Sequence, residues 1–246
     1  MRRGCGARGR AAAAAAAALV ASACSLPSTP STSPGPKSAR ADVTTAANAT
    51  TTRTALAVLD TLPVRGRAPR TGYDRERFGP AWTDDNDVAE GHNGCDTRND
   101  VLRRDLDRDV VRPGTHGCVV LTGVLHDPYT GAAIAFTRGA RTSSAVQIDH
   151  VVALSNAWQT GAQQLSERRR RDLANDPREL LAVDGPTNQA KGDGDAATWL
   201  PPNKRYRCAY VARQIAVKAA YRLWVTRPER DAMTRVLARC PTHRAG

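Results

Sequence analysis

The chain has 246 residues, with 36 Lys and Arg against 24 Asp and Glu and a formal net charge of +12. That length fits one folded domain with extra segments rather than several domains. The basic excess favours a polyanionic partner such as nucleic acid over a cationic one, although a basic proteome gives the same sign and charge alone does not separate the two.

Arg2, Arg3, Arg8 and Arg10 precede an all-Ala run over 11–18, then Leu19, Val20 and the small residues Ala21-Ser22-Ala23. A positive head, a short apolar stretch and a small-residue cleavage site predict a signal peptide over 1–23, too short to anchor stably across a bilayer. Cys24 follows, so the end of the leader is similar to a lipobox, with Ala21 where Leu is commoner. Lipidation at Cys24 and free secretion after Ala23 are the two expectations. Residues 24–53 are rich in Ser, Thr, Pro and Ala, cannot bury enough apolar surface to fold, and read as a tether. Cys95, Cys118, Cys208 and Cys240 remain, an even number in an exported chain, which predicts two disulfides. Local pairing, Cys95–Cys118 and Cys208–Cys240, is expected. Wide spacings and the lack of a CxxC pair argue against a zinc site.

The folded domain is expected over 54–243. Apolar residues at 56, 58, 59 and 62 predict a short amphipathic helix. Residues 64–94 read as loop, and a helix is expected from Arg98 to Leu106. Val119–Val124 and Ala133–Thr137 read as strands joined by the Asp127-Pro-Tyr-Thr-Gly turn, hence a hairpin. Ala145–His150 is a short strand, Val151–Trp158 turns helical, and a basic helix runs over 167–175. Helices over 203–226 and 228–239 close the chain, the second begun by Pro228. A Cys208–Cys240 bridge would staple them.

The chemistry concentrates in Ile148-Asp149-His150-Val151-Val152 and, about forty residues on, Asn188-Gln-Ala-Lys191-Gly-Asp193. Phosphodiester hydrolysis needs a base to activate water and a cation to neutralise developing charge. A strand-end His beside an Asp supplies the base and a hard oxygen ligand, and Asn188 offers a second, neutral oxygen. Mg²⁺ accepts few protein ligands and keeps several waters, so two suffice.

This pattern resembles the HNH or ββα-metal endonucleases, including the HNH domain of RNA-guided CRISPR enzymes. More closely it is similar to exported actinobacterial HNH proteins grouped with the C-terminal domain of GmrSD restriction enzymes. The resemblance is carried over about 54–240 by Gly72-Tyr-Asp-Arg75, Asn93–Asp100, Asp127–Gly131, Ile148–Trp158 and Asn188–Asp193. It implies an α+β fold with a ββα-metal (HNH) core and additional helices. It further implies a metal-dependent endonuclease of DNA or RNA; no motif points to base-specific reading, so little sequence specificity is expected. His150 becomes the general base, Lys191 a phosphate contact, and Asp149 and Asn188 the ligands of a divalent metal, Mg²⁺ first and Mn²⁺ or Zn²⁺ as alternatives. The chain departs from many HNH enzymes in having no His between 151 and 242. A third ligand is then absent or is not His, with Asp193 and Asp195 as candidates.

Other readings stand beside this one. Arg168–Arg171 reads first as a solvated helix face, and Arg98 equally as an ion-pair residue. The aromatic residues Trp158, Trp199, Tyr206, Tyr210 and Trp224 read as core. A non-catalytic exported binder of nucleic acid or wall polymer is the alternative function. A glycosidase would need two carboxylates across a cleft, and no persuasive pair occurs. A monomer is expected, touching a membrane only through a lipid at Cys24.

Overall fold

In the computed structural model, which describes residues 53–245, Thr54 caps the first helix, α1 (Ala55–Leu59), by accepting from the Ala57 N–H. The leader and the tether through residue 52, Cys24 included, lie outside the described residues. After α1 the chain loops to a single 3-10 turn at Arg75–Phe78, whose N-cap is Asp74. Helix α2 (Thr97–Asp105) starts where Asp96 accepts from the Asn99 N–H at 2.9 Å, a capping arrangement that satisfies an otherwise orphaned helix-end donor.

Strands β1 (Leu106–Val111), β2 (Val120–His126) and β3 (Ala133–Thr137) form an antiparallel sheet in that order. The β2–β3 hairpin is the one expected from sequence. Strand β1 was not expected from the sequence, where the helix read to Leu106 precedes an unassigned 107–111, because its Asp107-Arg108-Asp109 run carries charge rather than alternation. Those charges and two register irregularities suit an exposed edge, where they discourage pairing with another chain.

Strand β4 (Val146–His150) pairs antiparallel with β5 (Leu180–Asp184), setting Asp149 opposite Leu181 and His150 opposite Leu180. Strand β5 runs directly into α5 (Gly185–Lys191), where Asp184 accepts from the Thr187 N–H at 2.8 Å and Pro186 occupies the first turn. β4, β5 and α5 thus make a ββα unit, with α3 (Leu154–Gln159) and α4 (Glu167–Asn175) inserted between its strands. Helices α6 (Arg207–Ala220) and α7 (Arg227–Leu237) follow, and the disulfides are Cys95–Cys118 and Cys208–Cys240, as the local pairing predicted. Among the described residues no helix is long and apolar enough to cross a membrane.

The β4–β5 ribbon divides two apolar clusters. Strand side chains alternate faces, so Ile148 and Ala182 enter a small cluster with Val101, Leu102, Val120 and Phe136. Leu181 and Val183 enter the larger one with Val151, Leu173, Tyr210, Ile215 and Met233. By the same alternation Asp149 and His150 leave the ribbon on opposite sides. The Arg168–Arg171 run is not a free solvated face: Arg168 pairs with Asp87, Arg169 donates to the Ala220 carbonyl, Arg170 to the Arg77 carbonyl, and Arg171 pairs with Asp85.

Candidate active site

Asp149 faces the larger cluster and is 5% exposed. Lys191, fully buried at its side chain, brings its Nζ to 2.8 and 2.9 Å from the two carboxylate oxygens and to 2.6 Å from the His150 carbonyl. An ammonium has three donors, and all three are used. Tyr129 donates its hydroxyl to Asp149 Oδ2. Burial, and then the Asp149 charge, push the Tyr129 phenol well above its ordinary range, so it stays a donor. The Asp127-Pro-Tyr-Thr-Gly turn positions that phenol: Asp127 Oδ1 accepts from the Asp184 N–H at 3.0 Å and Oδ2 from the Thr130 N–H at 2.7 Å, tying the turn to the β5–α5 junction. Lys191 is the last residue of α5, which ends at Gly192, whose φ of +51° is a value that favours glycine.

On the other face, His150 is 7% exposed and lines a cavity of about 680 Å³ with Asp74, Arg75, Gly79, Trp82 and Asn175 among its walls. Its Nε2 lies 3.1 Å from the Ala174 carbonyl oxygen, at the end of α4. A carbonyl only accepts, so Nε2 carries the proton and Nδ1 is the ring's one acceptor. Burial first, and then the Arg75 and Lys191 charges, push the imidazole pKa down to about 3 against the raising effect of the Ala174 bond. The ring is therefore neutral at physiological pH, with its lone pair on Nδ1. Trp82 stacks on it, ring centroids 5.6 Å apart and planes 15° from parallel. The Trp82 backbone has a φ of +57°, a left-handed conformation rare for a bulky residue and concentrated at functional positions. Gly79, also left-handed at φ +85°, turns the chain out of the 3-10 segment into this wall.

The ββα unit thus brings Asp149, the His150 carbonyl and Lys191 together and sends the His150 ring to the cavity. Asn188 lies one turn before Lys191 on α5, and its Nδ2 donates to Gln147 Oε1 at 3.0 Å. Asp195 pairs with Arg67 at 2.5 Å and Asp193 with Arg70 at 3.3 Å. Arg98 donates to the Val146 carbonyl at 3.2 Å, supporting β4. Among the described residues no three His, Cys, Asp or Glu side chains gather as a metal site. The oxygens around Lys191 Nζ are hard donors of the kind Mg²⁺ takes, but with the ammonium among them they do not fit a divalent ion. Such an ion enters only if Lys191 withdraws. Sequence reasoning missed Trp82, whose loop carries no periodic signal, and the Ala174 carbonyl, a backbone group that no side-chain motif reveals. Tyr129 and Arg75 sat within quoted motifs without a role.

Residues 96–236 match the family model described as GmrSD restriction endonucleases, C-terminal domain. A protein of Arthroderma benhamiae named "Uncharacterized secreted protein" is 39% identical over 202 residues, covering 81% of this chain and 91% of that one. No solved structure matches.

Proposed function

The chain belongs to the family of the C-terminal domain of GmrSD restriction endonucleases, and on that premise we propose an exported endonuclease that hydrolyses phosphodiesters of DNA or RNA with His150 as general base. The observation that carries this reading is the His150 ring itself: neutral, pinned through Nε2 to the Ala174 carbonyl, and lining a cavity of about 680 Å³. Sites of roughly 300–1,000 Å³ accommodate small-molecule-sized groups, which suits a nucleotide unit. In the step, a water gives a proton to His150 Nδ1 as its oxygen bonds to phosphorus. The ester P–O bond opposite breaks, the leaving oxygen takes a proton from solvent, and the His150 imidazolium returns its proton to solvent, which restores the neutral ring. General-base catalysis of this kind contributes roughly 10²–10⁴-fold.

HNH-type nucleases generally use a divalent metal, and the family reading would give it to Asp149 and Asn188. The commitment of Asp149 to Lys191 and Tyr129 means that no step above depends on that ion. In this arrangement Lys191 holds the His150 backbone rather than touching phosphate. Cleavage with little sequence preference belongs to the proposal. Export is supported by the leader and by the secreted name of the Arthroderma relative. Lipidation at Cys24 would send the chain into the detergent phase on partitioning, and free secretion would leave it in the aqueous phase.

The test is digestion of plasmid DNA and of structured RNA by the wild-type chain with Mg²⁺, with Mn²⁺ and with EDTA. Cleavage of either polymer is expected. Cleavage that EDTA abolishes means that an ion displaces Lys191 or binds elsewhere. Binding without cleavage under every condition overturns the reading in favour of a non-catalytic exported binder.

A further inference from the structure

The cavity in front of His150 holds a cation that the hydrolysis above leaves without a task. Arg75, in the 3-10 turn, is exposed and lines the cavity, and among the described residues it makes no hydrogen bond or ion pair. Two basic side chains of α4 are committed elsewhere, and Arg77 does not line the cavity. Arg170 donates to the Arg77 carbonyl at 2.8 Å, and Arg171 pairs with Asp85 at 2.8 Å. A solvated surface arginine is the plain alternative, but two features set Arg75 apart. It shares the cavity with the candidate base, and it is the leading charge acting on that base. The other is Lys191, which lies behind the strand, fully used by Asp149 and the His150 carbonyl.

The flanking acids refine the chemistry. Asp74 and Glu76 also line the cavity. Asp74 is turned back to accept from the Glu76 N–H at 2.9 Å, and neither carboxylate is among the groups acting on His150. Asp74, Arg75 and Glu76 together bring a net charge of −1 to the cavity, so each further negative charge on a ligand is disfavoured. A phosphodiester carries one such charge and leaves a single oxygen pair for Arg75 to hold, whereas a terminal phosphomonoester carries nearly two and is repelled more strongly by the carboxylates. Guanidinium groups suit phosphate because their planar fork donates two parallel hydrogen bonds.

We propose that Arg75 is the phosphate-binding residue of this cavity: its guanidinium grips a non-bridging oxygen of an internal phosphodiester, beside the water that His150 deprotonates. The proposal rests on the nuclease reading and adds to it the residue that holds the substrate and the choice of diester over monoester.

Two measurements test it. In a His150→Ala background, in which cutting is expected to be slow on the timescale of binding, a short fluorescent strand is titrated at several salt concentrations with Arg75 and with Arg75→Ala. Loss of one phosphate contact is expected to reduce the salt slope by about 1 and to weaken binding at every sequence. In the His150 chain, Arg75→Ala is expected to lower kcat/KM on bis(p-nitrophenyl) phosphate roughly 10²-fold, the size of effect seen when one oxyanion donor is removed. Arg75→Lys falls between, and wild type prefers the diester to p-nitrophenyl phosphate. Arg75 is exposed, so Arg75→Ala is expected to fold, which circular dichroism checks. An unchanged salt slope with unchanged kcat/KM overturns the role of Arg75, and preference for the monoester overturns the charge argument. A wild type that cuts neither DNA, RNA nor the small diester overturns the nuclease reading instead, and the salt slope alone then decides whether Arg75 holds phosphate.

Discussion

Two consecutive residues of β4 have opposite fates. Asp149 points into the larger core, where Lys191 and Tyr129 occupy its oxygens. His150 points to the cavity, where Nε2 is fixed and Nδ1 is left as the acceptor. Strand alternation makes this division, and the lesson is that an Asp-His motif can split structure from chemistry between adjacent side chains. The Asp149 side is saturated and holds the strand through the His150 carbonyl. The His150 side keeps one unspent lone pair.

The largest stability effect is expected on the saturated side. Lys191→Met leaves the Asp149 charge buried and unpaired, which costs about 3–5 kcal/mol and should appear as a large drop in Tm. A loss under 1 kcal/mol would mean that Asp149 finds water or an ion, and would break the contrast between the faces. Glu179 sharpens it, since it is fully buried near the same lysine with Oε1 unpartnered. Burial pushes its carboxyl well above the usual range, so Lys191 answers the Asp149 charge alone.

On the open side, Trp82→Ala should loosen the His150 ring. Aromatic pairs contribute about 0.5–1.5 kcal/mol beyond area burial, so kcat should fall up to roughly tenfold, with Trp82→Phe recovering most of it. Equal turnover in all three proteins would deny Trp82 any part in holding the base.

The smallest effect concerns the turn that presents the Ala174 carbonyl. Burial alone would raise the neighbouring Asp176 carboxyl, but hydrogen bonds from Arg178 and Tyr221 outweigh it and hold the carboxyl below its ordinary value. A carboxylate lowered on folding stabilises above its unfolded pKa and loses that contribution as pH falls through the folded one. Stability should therefore decline as pH drops below about 4, where unfolded aspartate titrates. Tyr221→Phe should flatten that decline, and chemical denaturation at stepped pH reads it.

Much of this architecture was legible in the sequence. Periodicity marked α1, helices were expected where α2, α3, α4, α6 and α7 lie, turn residues marked the β2–β3 hairpin, and cysteine parity with export gave two disulfides, whose expected local pairing is the one found. Strand β5 escaped because Leu180-Leu-Ala-Val-Asp184 is a short run without alternation, buried on both faces. Helix α5 was hidden by Pro186-Thr187-Asn188, which reads as a turn but lies in the first turns of the helix. At the site, His150, Asp149 and Asn188 could be named from their chemistry, and Lys191 from the family resemblance. Their partners could not, because a side-chain motif carries no information about which face of a strand is sealed. Arg75 and Trp82 come to His150 from a loop more than sixty residues earlier, a contact made by the fold and not by any local pattern.

The division between the two faces is tested most directly by turnover and thermal unfolding of His150→Ala, measured together on the same DNA or RNA that the wild type cuts. Activity should fall by roughly 10²–10⁴-fold while a cooperative unfolding transition persists. A folded His150→Ala protein that cuts at the wild-type rate would contradict the assignment of His150 as the base.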